Sequence, residues 1–357
     1  MSDPDWQHEV LRELGVLESG LIPPVPHPRP TPLDVLPEAA PRPPEPLAAP
    51  IPPASVPAGA PAASVPAVEL LRRNPHGDPV IKRLGRGVRK AVGASAATGV
   101  RDLSELTAQL GAPVRSCRRI AVTSIRGGAG KSSVAALLAR LLHLHRDDRV
   151  LAIDADPGLG SLPLRLGVAP TRSLRDLTTA RPRTWDETTA YLTRTATGLW
   201  VIANDGRMDL DDETFRTGAG MLGRFFSTTV VDGGAGIGTR LHRGVLNSAH
   251  AQVFVVPGTE DGAVTVRKAL AWLRTGGHDR LLAHTTLALV AHTPTPDTDL
   301  DHARDLLASD GLPVVLVPFD RHLATGTAID PDRVGAATHA AVTRIAAQSF
   351  AHAQAAP

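Results

Sequence analysis

The passage from Ile120 to His145 constrains the fold more than any other part of the 357-residue chain. Ile120-Ala-Val-Thr-Ser124 reads as a buried strand. The loop Arg126-Gly127-Gly128-Ala129-Gly130-Lys131-Ser132-Ser133 follows, and Val134, Leu137, Leu138, Leu141 and Leu142 then fall on one face of a helix over Lys131–His145. Glycines let consecutive backbone N–H groups curl round a phosphate without Cβ clashes. The helix that opens directly after them adds partial positive charge at its N-terminus. Lys131 is one of only four lysines, with Lys82, Lys90 and Lys268, in a chain of 38 basic residues. A lysine kept at this place in an arginine-rich chain is itself informative.

After that unit the pattern alternates. Val150–Ile153, Leu199–Ala203, Thr228–Val231, Gln252–Val256, Thr286–Ala291 and Pro313–Val317 read as strands. Gly238–Ser248, Gly262–Thr275, Leu300–Ser309 and Arg333–Phe350 read as helices. Short apolar strands alternating with helices predict an α/β fold, a mostly parallel sheet with helices on both faces.

The region before Arg118 has a different character. Residues 1–20 carry Trp6, Val10, Leu14 and Leu17 at helical spacing, with acids at the start: either a frayed tail or a docking peptide that folds on a protein partner. Residues 21–66 hold 17 of the 32 prolines, so they are expected to be a disordered tether. Residues 67–117 are transitional and hold the basic block Arg72, Arg73, Lys82, Arg83, Arg86, Arg89 and Lys90. That block suits nucleic acid, an anionic membrane surface, an acidic partner or plain solvent. The globular domain is expected over residues 118–357. No apolar run long enough for a transmembrane helix occurs, the start is not a secretory signal, and Cys117 is the single cysteine, so a cytoplasmic protein without an intrachain disulfide is expected.

The full phosphate-loop pattern has glycine at position 125, where this chain has Ile125. Arg126-Gly-Gly-Ala-Gly-Lys-Ser-Ser133 instead resembles the deviant Walker A loop of the MinD/ParA superfamily of ATPases. Two more motifs follow in family order. Asp154-Ala-Asp156-Pro157 resembles switch I, and Val230-Val-Asp232-Gly-Gly234 resembles Walker B and switch II. Val317-Pro318-Phe319-Asp320 resembles the late segment near the adenine, so the likeness runs over about residues 118–350.

The resemblance implies a P-loop NTPase fold, an ATP-hydrolysing switch, and ATP with Mg²⁺ as ligands. It implies that the loop from Arg126 through Gly127, Gly128, Ala129, Gly130 and Lys131 to Ser132 and Ser133 binds nucleotide. Ser132 and Asp232 would hold Mg²⁺, Asp156 would position the attacking water, Asp154 would support switch I, and Pro318 would lie near the base. Arg126 stands where the family's signature lysine crosses an ATP-bound homodimer to the other protomer's phosphates. The stretch from Leu142 to Leu162 and that from Pro318 to Ala324 resemble actinobacterial members associated with ESX, or type VII, secretion. A switch that positions a secretion machine and a partition ATPase that binds DNA nonspecifically are the two functional classes this implies, with a scaffold of little turnover as a third. A membrane helix like that ending MinD is not expected in a tail whose one arginine is Arg344. An N-K-x-D guanine motif is missing, which favours ATP over GTP, and His143 and His145 at i, i+2 do not make a zinc spacing.

Overall fold

The computed structural model describes residues 103–357, apart from residues 159, 205–209, 237, 296–299 and 310. The amphipathic segment over residues 1–20, the proline-rich stretch over 21–66 and the basic block lie outside the described residues.

Eight strands form one sheet: β1 (Arg118–Ser124), β2 (Val150–Ala155), β3 (Thr193–Arg194), β4 (Trp200–Ile202), β5 (Thr228–Ala235), β6 (Ala251–Pro257), β7 (Thr285–Val290) and β8 (Val314–Val317). Their order is β3-β4-β2-β5-β1-β6-β7-β8. Among the described residues only the β3–β4 pair is antiparallel; the other pairings are parallel. Both faces of the sheet are covered, so the inner strands are buried at nearly every position rather than alternating between buried and exposed residues. Ile120, Val122, Val150, Ala152, Val253 and Val255 point to one face, where they pack with Leu138 and Leu142 of α1 (Lys131–His145) and with Ile345 and Phe350 of the C-terminal helix Ala336–Ala355. Ala121, Leu151, Ile153 and Val231 point to the other face, against Leu174, Phe215 and Val245. Further along that face Phe254, Leu287 and Leu289 meet Val266, Leu270 and Leu273 of the helix Glu260–Thr275.

All seven expected strands form, with ends moved by a residue or a few. The helix over Lys131–His145 has the bounds its sequence suggests. The last helix starts at Ala336 rather than Arg333. Pro331–Arg333 is a separate 3₁₀ turn closed by the extended Val334, and the Gly335 N–H donates to the Asp320 carboxylate at 2.6 Å, which fixes the chain outside the helix there.

The ordered core also reaches back before Arg118. Residues 103–110 are helical, Leu110 is fully buried in the same core as α1, and Arg146 Nη1 donates to the carbonyl oxygens of Leu110 at 2.7 Å and Ala112 at 2.9 Å.

Candidate functional site

In a parallel sheet of this kind the crevice lies beyond the C-terminal strand ends, where connections leave in opposite directions. Here that point is the end of β1. The chain goes from β1 through α1 to β2 on one side, and from β5 it crosses to β6 on the other. The glycine loop leaves β1 at this crevice. Gly128 and Gly130 have φ of +79° and +91°, backbone angles that a residue with a Cβ rarely adopts. Gly130 is the N-cap of α1, makes no side-chain cap, and no acid stands in the first turn. The first N–H groups of a fifteen-residue helix are therefore left without a side-chain acceptor.

Register brings the acids to the same place. Asp154 on β2 sits beside Asp232 on β5, and Asp232 sits beside Val122 on β1. Asp232 is fully buried, and Lys131 is nearly so. Lys131 Nζ donates to Asp232 Oδ1 at 2.8 Å and lies 3.9 Å from Asp156 Oδ2. The second oxygen of Asp232, Oδ2, is buried with no hydrogen-bond partner among the described residues. Burial pushes the Asp232 carboxyl above the ordinary range; the Lys131 charge and its hydrogen bond, and then Ser132, work against that rise. Burial, and after it the charge of Asp232, push Asp154 up to about 7.

Asp154 also builds the next loop. Its Oδ1 accepts from the Asp156 N–H at 3.0 Å, and Asp156 Oδ1 in turn accepts from the Gly158 N–H at 3.0 Å. Both are short acid-to-backbone turns, the kind that aspartate favours.

A cleft opens on the other side of the glycine loop. Gly128, Gly130 and Ser133 line one part, and Val290, Ala291, His292, Val317, Pro318 and Phe319 line another. Asp320, which follows them, is structural: its carboxylate accepts from the N–H groups of His322, Leu323 and Gly335. Two of the sequence-predicted residues stand apart from this gathering. The Ala129 side chain is buried in the core, and Arg126 is exposed and ion-paired with Asp261 at the start of the helix Glu260–Thr275.

A glycine loop closing on a buried lysine–aspartate pair at a parallel-sheet crevice is a phosphate-binding arrangement, and residues 120–308 match the model of the CobQ/CobB/MinD/ParA nucleotide binding domain. The chain belongs to this nucleotide-binding family.

Over 227 residues it is 32% identical to the ESX-1 secretion-associated protein EspI of Mycobacterium tuberculosis, which covers 61% of this chain and 34% of EspI. The chain thus spans about a third of the length of that curated relative. Among solved structures it is similar to a ParA family ATPase from Chlorobium tepidum TLS, with a TM-score of 0.54 and 18% identity over 64% of this chain and 98% of that one. It is also similar to the septum site-determining protein MinD complexed with Mg-ADP from Pyrococcus horikoshii OT3, with a TM-score of 0.52 and 19% identity over 64% of this chain and 94% of that one. These structural likenesses establish the shared fold.

Several residues of this MinD/ParA-type site carry no motif of their own. Gly160 lies flush against Asp154: a Cβ there would fall 2.0 Å from Asp154 Oδ2. Asn204 Nδ2 donates to the Asp156 and Pro157 carbonyl oxygens at 3.4 and 3.2 Å, tying the loop after β2 to the end of β4. Gly234 allows the loop after Asp232 to approach Pro157, where a Cβ would fall 3.0 Å from its Cδ. The spacing of Gly160 from Asp156-Pro157 was a usable signal. Asn204 is joined to its partners only by the sheet order, which local sequence does not state.

Proposed function

We propose that the chain is an ATP-binding and ATP-hydrolysing switch whose state is read by a protein partner. The observation that carries this is the buried Lys131–Asp232 pair beneath the uncapped helix N-terminus, with Asp232 Oδ2 left without a partner. The backbone of Gly127–Gly130 and the Lys131 ammonium bind the phosphates, Ser132 and Ser133 continue that contact into the helix, and Pro318 lies at the base end of the cleft. A bare carboxylate oxygen that is fully desolvated is costly. The donor set of Asp232 Oδ2 and the Ser132 hydroxyl suits a hard cation such as Mg²⁺, which takes one or two protein oxygens and shares the rest with phosphate and water. Its contribution is neutralisation of charge on the phosphate oxygens. Asp156, half-exposed and held by its contact with Gly158, orients the attacking water, and Asp154 holds the Asp156 backbone in place.

The similarity to an ESX-1 secretion-associated protein supports a place beside a type VII secretion machine. The test is turnover. Wild type should hydrolyse ATP in the presence of Mg²⁺, slowly unless its partner is added. Asp156→Ala should keep ATP affinity within about threefold and lose at least about tenfold in hydrolysis, as expected when a water-positioning group is removed. Unchanged turnover in that variant, or loss of binding along with turnover, contradicts the role. Stimulation of wild type by DNA, with salt-sensitive binding, would replace the secretion reading by the partition one.

A further inference from the structure

Arg165 is a cation of the cleft that the glycine loop borders. It stands on the helix Leu162–Leu166, a few residues beyond the Asp154–Pro157 loop, and lines the cleft together with Gly128, Gly130 and Ser133. A guanidinium carries five N–H donors in a planar fork and stays charged. Among the described residues this one makes a single hydrogen bond, from Nη1 to the Thr327 carbonyl oxygen at 3.3 Å. Its Nε is buried and without a partner among the described residues. Arg140, nearby on α1, shares the buried Nε without a partner among the described residues, but both of its terminal nitrogens are used: Nη1 donates to the Ile329 carbonyl and Nη2 to the Leu166 carbonyl.

The backbone of Arg165 is pinned. Its N–H donates to Ser161 and its carbonyl accepts from Ile329, so the side chain is presented from a fixed base. Burial works against its charge, and the Asp232 carboxylate works in favour of it, so the field of the buried acid extends to this guanidinium. A half-buried cation short of partners beside a phosphate-binding loop wants an anion.

We infer that Arg165 is a second phosphate-binding cation, supplied by the same protomer, that contacts the phosphate chain of the bound nucleotide in addition to Lys131. This rests on the reading of the glycine loop as a nucleotide site. A planar fork grips two phosphate oxygens at once, which a lysine cannot do.

The experiment is titration of the full chain with Mg-ATP, Mg-ADP and adenosine, for wild type, Arg165→Gln and Arg165→Lys. Glutamine keeps an N–H donor for the Thr327 carbonyl but carries no charge. Arg165→Gln should weaken ATP and ADP by roughly 10- to 100-fold, the scale of a charged hydrogen bond, and leave adenosine unchanged. Its ATP affinity should also fall less steeply with added salt, and Arg165→Lys should recover part of the loss. An ATP affinity equal to wild type overturns the inference, and so does an equal loss for adenosine, which would mark Arg165 as a prop for the cleft wall. If Arg165→Gln does not fold, Arg165→Lys with the same three ligands decides, since it too should lose ATP and ADP relative to adenosine. A wild type that binds adenosine but no ATP or ADP overturns the phosphate-site reading itself, whereas phosphate binding that ignores Arg165 overturns this inference alone.

Discussion

Titration of single buried groups should be visible in stability. His242 is buried with neither ring nitrogen partnered among the described residues, and burial lowers it to about 4. His250 is also lowered to about 4 by burial, and its Nδ1 accepts from the Arg119 N–H. An ordinary histidine titrates near 6.5, so between about pH 6.5 and 4 the unfolded chain binds protons at these sites that the folded one does not. Their stabilising contribution is whole above 6.5 and is lost as pH falls to 4. Asp154 runs the other way. With a folded value of about 7 against 3.8, the folded chain holds an extra proton between those values, so its contribution falls as pH rises through that window. Acid below pH 6.5 should therefore destabilise the protein on balance. His242→Leu should flatten that limb by up to about 1.4 kcal/mol per pH unit, and Asp154→Asn should steepen it. Urea unfolding at pH 7.5, 6.0 and 5.0 measures both; an acid limb unchanged in His242→Leu would show that the histidine is protonated in the folded state.

Among the elements, those that could be read locally were those whose signal is local. The strands β1, β2 and β6 carry short apolar runs because both faces of the sheet are covered, and α1 carries an apolar stripe. The short helices Leu174–Ala180 and Trp185–Thr189 lack such runs and rest instead on capping boxes, Ser173 with Asp176 and Thr184 with Glu187. The helix Asp212–Leu222 runs through Gly218, a poor helix former required there because a Cβ would fall 2.6 Å from Leu174 Cδ1. At the site, the glycine loop and the three aspartates announce themselves by spacing, whereas Arg165 and Asn204 reach it only through tertiary contacts. The helix over residues 103–110 was hidden by the basic, transitional character of its surroundings. Its Leu110 is fully buried, and Arg146 depends on the carbonyls that follow that helix. A chain beginning at residue 118 should thus melt on the order of 10 °C below one beginning at residue 103, from loss of a buried leucine and exposure of its site. Equal melting temperatures would place Arg118 as the true edge of the folded unit.

At the scale of the whole molecule the question is what Arg126 does. Its ion pair with Asp261 joins two exposed side chains, 55% and 61% accessible, and such a pair adds little to stability. It is easily given up for a better partner, and a guanidinium is well suited to phosphate oxygens. On the reading of Arg126 as the residue that serves a second protomer, Arg126→Ala should bind ATP as a monomer, fail to dimerise with it, and hydrolyse poorly. Mixing it with Lys131→Ala, which supplies Arg126 but lacks its own phosphate lysine, should restore some hydrolysis. Sedimentation with a slowly hydrolysed ATP analogue is the readout, and wild type that stays monomeric at high concentration would exclude the arrangement.

The expectations that involve nucleotide depend on Lys131, the buried ammonium shared between Asp232 and Asp156 beneath the glycine loop. Calorimetric titration of Mg-ATP into wild type and Lys131→Ala tests it most directly. Wild type should bind at one site per chain, and Lys131→Ala should lose at least about 100-fold in affinity, the scale expected when one member of a buried charged contact is removed. Equal affinity in the two proteins would contradict nucleotide binding at this loop.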